Sequence, residues 1–233
     1  RFSADQIYLA ASQMSCGLDA RTSLLQPPRT HIHIYQHRHT CFSMAGRATL
    51  PGLKAIRHIV AVSSCKGGVG KSLVAVNTAC ALQAQGHRVG IFDADLYGPS
   101  LPTMMRLPPE EAQLRPDTEG MAIPPNYKGI KTMSFGYMPQ SGQNGSSAAV
   151  MRGPRASAVM QQLLGSTAWG DLDFLIVDMP PGTGDIPLTL CQTLSFSSAI
   201  VVTTPAKISI VDVEKGMDMF EDLKVPVSAI VEN

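Results

Sequence analysis

The sequence lacks the close cysteine pairs, the long apolar runs and the charge excess that would assign it a class at once. Its five cysteines, at 16, 41, 65, 80 and 191, form no CxxC and no short-spaced pair. An odd, dispersed set excludes a disulfide framework and a local zinc or redox site, and points to a reducing compartment. No apolar stretch reaches the length of a membrane-crossing helix, so no transmembrane segment is expected. Charged residues make up only 16% of the chain and the formal net charge is +1. That balance excludes a globally basic nucleic-acid binder and an acidic solvating tail. Hydrophobic residues reach 44% of 233, so the chain has the material for one substantial core and is neither disordered nor a coiled coil.

The even balance hides an asymmetry. Residues 1–58 carry seven Lys/Arg against two acids, a net +5, whereas residues 59–233 carry −4. Five of the six histidines also fall in the first 58. This segment keeps no period of 2 or 3.6, is poor in acids and is dotted with Arg and Ser. That is the composition of an organelle transit peptide, with a poorly ordered leader as the alternative. His31, His33, His37 and His39 form two i, i+2 pairs that an extended strand could present to a metal. Without Cys or carboxylate beside them, a solvated tract is the competing reading. Pro51-Gly52 marks a turn and a boundary. The expected organisation is a leader over residues 1–55 and one domain over residues 56–233. The start at Arg1 and the end just after a strand-like run lead us to expect a fragment, incomplete at its C-terminus.

The domain opens with a buried-strand pattern, Ile59-Val60-Ala61-Val62, followed directly by Ser63-Ser64-Cys65-Lys66-Gly67-Gly68-Val69-Gly70-Lys71-Ser72. A helix is expected from Val74 to Gln85, closed by Gly86. Strand, glycine loop, GKS and helix together specify a phosphate-binding loop. Its glycines let backbone N–H groups close on phosphate oxygens at a helix N-terminus. Cys65, Lys66, Gly67, Gly68, Val69, Gly70, Lys71 and Ser72 are therefore the expected ATP-binding run. Lys71 would reach the β- and γ-phosphates, and the Ser72 hydroxyl would bind Mg²⁺. Cys65 stands where such loops usually place their first glycine.

Two further strands end in carboxylates. Val89 to Phe92 delivers Asp93 and Asp95, and Phe174 to Val177 delivers Asp178. Carboxylates at strand C-termini face the ligand edge of an open α/β sheet. Asp95 can position an attacking water, Asp93 can support the metal shell, and Asp178 can reach Mg²⁺ through water; turn and N-cap use competes for Asp93 and Asp95. Gly182 and Gly184 give the following loop freedom to respond to a γ-phosphate. Ala199–Val202 and Val227–Val231 add two strands. Between them, Val213, Gly216, Met217, Phe220 and Leu223 form one apolar helical face. Ile130 to Phe135 is an expected edge strand, and Pro108–Asp117 and Gly136–Ser147 are expected surface loops. Met104, Met105, Met133 and Met138 suit adaptable core filling, or else a partner surface. Cys80 and Cys191 fall within helical patterns and are expected in the core. The fold class is α/β, a mainly parallel sheet flanked by helices with right-handed crossovers.

The loop reads KGGVGKS, which resembles the deviant phosphate loop of a class of dimeric ATPases. In that class the first lysine crosses to the partner's nucleotide, a role the resemblance gives to Lys66. KGGVGKS, DADLYGPS, VMRGP at Val150–Pro154, DMPPGTGD at Asp178–Asp185, LTLCQ at Leu188–Gln192 and TTP at Thr203–Pro205 are similar to the Mrp/NBP35 family of iron–sulfur cluster carrier ATPases, most of all its plastid members. The match spans roughly Ile56 to Asn233. It implies an ATP-hydrolysing, Mg²⁺-dependent homodimer that carries a four-iron cluster to apo iron–sulfur proteins, in the chloroplast stroma or else the mitochondrial matrix or cytosol. It implies Lys66, Lys71 and Asp95 as the catalytic residues and an adenine contact from Asn233. The family's CxxC would follow Asn233, so no cluster ligand is expected within this chain. Leu73 stands where the family has a second hydroxyl residue. A spatial-organising ATPase and a nucleotide-gated electron donor are the competing readings of the same loop.

Overall fold

The computed structural model describes residues 31–34, 50–138 and 154–233. The phosphate-loop domain is built on an eight-stranded sheet. Six strands run parallel, and their order from one side is β10 (Val227–Glu232), β9 (Ser198–Thr203), β2 (Ile56–Ser63), β8 (Leu172–Asp178), β3 (Val89–Asp93) and β7 (Ile130–Ser134). Antiparallel strands close both sides: β1 (His31–Ile34) on β10 and β6 (Asn126–Tyr127) on β7. A two-residue pair, β4 (Arg115–Pro116) with β5 (Ala122–Ile123), stands apart.

Continuous apolar strands need cover on both faces, and the helices supply it unequally. Helix α1 (Lys71–Ala84) and the short α2 (Leu101–Met104) lie on one face, where Val74, Ala75, Ala79 and Leu82 pack with Val60, Val62, Ile91 and Ile176. Helices α3 (Pro154–Gly165), α4 (Asp185–Thr193) and α5 (Lys207–Asp222) lie on the other. There Met160, Leu164, Leu190 and Phe220 pack with Ala61, Phe92, Leu175 and Val177. Alternate residues of one strand thus feed different cores. Phe92 and Trp169 are fully buried, each worth roughly 2–3 kcal/mol of transfer free energy. At the sheet end away from the loop, Asp173 accepts from the Arg88 N–H at 2.9 Å and from Nη2 at 3.0 Å, with Arg57 Nη1 at 3.3 Å. These bonds hold its carboxyl well below the usual range.

Several sequence expectations shift. Helix α1 begins at Lys71, three residues before Val74, because the loop feeds straight into it. Strand β7 is not an edge: it lies between β3 and β6. Met105 and Met133 are fully buried and Met104 is partly buried, so these three fill core, whereas Met138 is exposed. Cys191 is buried in α4, but Cys80 is only half-buried. The Pro108–Asp117 segment contributes β4. Residues 31–34 of the expected leader pair with β10, in register from His31 with Glu232 to Ile34 with Ala229. His37, His39, residues 139–153 with most of VMRGP, and the rest of the leader before Leu50 lie outside the described residues.

Candidate functional site

The strand order gathers the site. Strand β8 sits between β2 and β3, and its register pairs Asp178 with Val62 on one side and with Asp93 on the other. The ladder continues past the strand ends. Met179 N–H donates to the Val62 carbonyl and Ala94 N–H to the Asp178 carbonyl, both at 2.9 Å. The phosphate loop, Asp93 and Asp178 therefore share one edge of the sheet.

The loop is shaped locally. Ser64 Oγ donates to the Lys66 carbonyl at 2.9 Å, turning the chain out of β2. Gly68 and Gly70 adopt φ of +77° and +86°, a region costly for a residue with a side chain. Gly70 is the N-cap of α1 and offers no side-chain acceptor, so the first-turn N–H groups of Lys71, Ser72 and Leu73 are left for an anion. Lys66, Gly67 and Gly68 are exposed, Val69 is buried beneath them, and Leu73 is exposed on the helix start. Ser64 O also accepts the Gly182 N–H at 2.8 Å, which ties the loop after β8 to the phosphate loop.

At its base, Lys71 Nζ donates to Asp178 Oδ1 at 2.5 Å and lies 3.3 Å from Ser72 Oγ. Both partners are buried, Lys71 at 7% and Asp178 at 0% exposure. Burial pushes the Asp178 carboxyl up, against the pull of the Lys71 ammonium and the Ser72 hydroxyl. Asp178 Oδ2 is buried without a hydrogen-bond partner among the described residues. An orphaned carboxylate oxygen beside a serine hydroxyl fits the oxygen donor set of Mg²⁺ and its water shell.

Asp93 is used differently. Its Oδ1 accepts the Asp95 N–H at 3.1 Å. Its Oδ2 accepts Ser100 N–H at 2.9 Å, Leu101 N–H at 3.1 Å and Ser134 Oγ–H at 3.1 Å. Burial first, and then the neighbouring Asp178, push this carboxyl up to about 6. Four donors meet the carboxylate of Asp93, which anchors the turn after β3, caps α2 and links β3 to β7. Asp95 is half-buried, accepts the Gly98 N–H at 3.1 Å, and lies near enough for its charge to act on Asp178.

Asn233 lies across the loop. Its backbone N–H extends the β9–β10 ladder to Thr203 O at 3.0 Å, and its Nδ2 donates to Val69 O at 3.1 Å. A Cβ at Gly70 would stand 2.2 Å from that nitrogen. Sequence reasoning assigned no part to four residues here: Ser64, Ser100 and Ser134, of which the last two donate to Asp93, and Gly216. Gly216 faces Cys65, whose Sγ would lie 2.4 Å from a Cβ added there. The one available signal was the cysteine itself, an extra side chain at a glycine position that had to find room somewhere.

Among curated relatives, a chloroplastic Fe-S cluster assembly factor, HCF101 of Arabidopsis thaliana, is 54% identical over 78% of this chain and 33% of its own length. An iron-sulfur cluster carrier protein of Escherichia coli is 51% identical over 78% of this chain and 48% of its own. The chain thus spans about a third to a half of the relatives it matches. A nucleotide-binding protein of Archaeoglobus fulgidus, solved in complex with ADP, superposes with a TM-score of 0.63 at 36% identity, covering 76% of this chain and 66% of that one. The family described as ParA: NUBPL iron-transfer P-loop NTPase matches residues 55–233. As the Mrp/NBP35 resemblance implied, the chain belongs to this family of iron-transfer P-loop NTPases.

Proposed function

We propose that this chain is the nucleotide-hydrolysing part of an iron–sulfur cluster carrier that works as a homodimer and loads apo iron–sulfur proteins. The observation that carries the reading is the uncapped glycine loop with Lys71 and Asp178 paired at its base. The backbone N–H groups from Gly67 to Ser72 would bind the phosphates of ATP, and Lys71 would leave Asp178 to neutralise the β- and γ-phosphates. Mg²⁺ held by Ser72 and Asp178 would supply charge neutralisation on the phosphate oxygens. Asp95, beside Asp178, is the candidate for orienting the attacking water. Exposed Lys66 is free to act across a two-fold interface on the partner's phosphates. Asp93 acts as a positioning residue.

The four-iron cluster is cargo in this reading, with thiolate ligands from outside the chain. Among the described residues, Cys65, Cys80 and Cys191 lie in three separate elements, and no group of three metal-binding side chains forms. The chloroplastic relatives and the basic, acid-poor first 58 residues support a chloroplast address, with the stroma as the working compartment. The test is anaerobic transfer from a reconstituted cluster to an apo-ferredoxin by a protein that joins this domain to the segment bearing those thiolates, with ATP turnover followed in parallel. ATP turnover without cluster transfer would favour a spatial-organising ATPase instead.

A further inference from the structure

We propose that helix α5 positions the phosphate loop, with Gly216 as the seat of the Cys65 side chain; the inference rests on the nucleotide-site reading above. Cys65 brings a thiol to the point where the chain leaves β2 and enters the anion nest. Helix α5 accommodates it because its buried residue 216 has no side chain, and a Cβ there would come within 2.4 Å of Sγ. A glycine inside a helix is disfavoured against alanine by its backbone entropy, so local preference in α5 runs against the residue present. Contact with the loop supplies the reason for it.

The entry turn of the loop is thereby held from three directions. Ser64 Oγ closes the turn on Lys66 O, Gly182 N–H pins Ser64 O, and α5 backs Cys65. The N–H groups that follow must converge on phosphate oxygens, and such a constellation tolerates displacements of only about 0.5 Å. A methyl group at residue 216 pushes on Cys65 and, through it, on Lys66 and the nest. Residues 65 and 216 thus form one functional pair.

The experiment is a four-member cycle in the full chain: the parent, Gly216→Ala, Cys65→Gly, and the double variant, each titrated with Mg-ATP by calorimetry and melted thermally. Gly216→Ala in the parent background is expected to weaken ATP binding about tenfold, as misplacement of a binding group does. In the Cys65→Gly background the same change is expected to alter affinity by less than about twofold, since the clash has lost its partner. The melting temperature of Gly216→Ala should fall in the parent background, because the buried clash outweighs the gain in helix preference, and should recover in the Cys65→Gly background. Unfolding of Gly216→Ala that Cys65→Gly reverses supports the pair equally. Equal losses in both backgrounds, or none in the parent background because the thiol turns aside, overturn the proposal while leaving the nucleotide site intact. A parent that binds no ATP removes the nucleotide-site reading and this inference together.

Discussion

Lys71 and Asp178, 107 residues apart in sequence, meet at 2.5 Å in a buried ion pair at the base of the phosphate loop. Neither charge is exposed enough to be solvated alone, so each holds the other until a ligand separates them. In the proposed nucleotide-bound state, phosphate would replace Asp178 as the partner of Lys71, and the released Oδ1 would join the already unpartnered Oδ2 in facing the metal shell.

Lys71→Ala is expected to abolish ATP binding and also to destabilise the domain by about 3–5 kcal/mol, because it leaves Asp178 buried and unpaired. Calorimetry with Mg-ATP reads the first effect and urea unfolding the second. Unchanged ATP affinity would reject the loop assignment.

Asp178→Asn keeps the shape of the pair and removes its charge. Mg²⁺-dependent turnover should fall by about 100-fold or more, while ATP binding without Mg²⁺ should be largely kept. Turnover and Mg²⁺ dependence equal to the parent's would separate Asp178 from the metal.

Lys66 is exposed and outside the Lys71–Asp178 pair. Lys66→Ala should therefore keep most of the ATP affinity while impairing turnover and ATP-dependent dimerisation, read by light scattering with and without nucleotide. Normal turnover by the variant counts against a role across the interface.

Asn233 braces the loop through Val69 O. Asn233→Ala should weaken ATP binding by about tenfold, given about 1 kcal/mol for the lost hydrogen bond and more for the loosened loop. If its amide also reads the base, discrimination against GTP should erode in step. Equal ATP and GTP titrations in variant and parent would remove the residue from the site.

Asp93 sets a pH dependence whose sign follows from its carboxyl being pushed up to about 6 in the fold. An unfolded aspartate titrates near 4, so the folded chain holds a proton more tightly between these values. Its contribution to stability is fully present below about pH 4 and is lost as pH rises through about 6. Urea midpoints of the nucleotide-free chain should therefore show a gain at pH 5 over pH 7 that Asp93→Asn removes, a term on the order of 1 kcal/mol. The same pH slope in both proteins would show that Asp93 does not carry it.

Much of this was legible in the residues alone, because the informative signals are local. A β-branched run, a glycine loop and GKS lie within seventeen residues of Ile56, and the physics that makes them a phosphate cradle needs no distant partner. A strand ending in Asp likewise announces a carboxylate at a sheet edge, as Asp178 does. The helical face of α5 could be read from its period, and Phe220 is buried there as expected. What those signals lack is strand order. Asp93 and Asp178 are equivalent as sequence, each an acid closing an apolar strand.

Sequence alone determined the class of fold, the phosphate loop and the set of acids at its edge. Tertiary structure decided how those acids divide the work. Placing β8 between β2 and β3 set Asp178 against Lys71 with an oxygen to spare, while β7 and the turn to α2 surrounded Asp93 with four donors. It also decided that Asn233 lies on Val69 and Cys65 on Gly216, contacts that span 164 residues in the first case and join a loop to a remote helix in the second. The physical reason is the same in each: a side chain's chemistry is set by the donors and charges packed around it, and packing brings together residues that no local pattern connects.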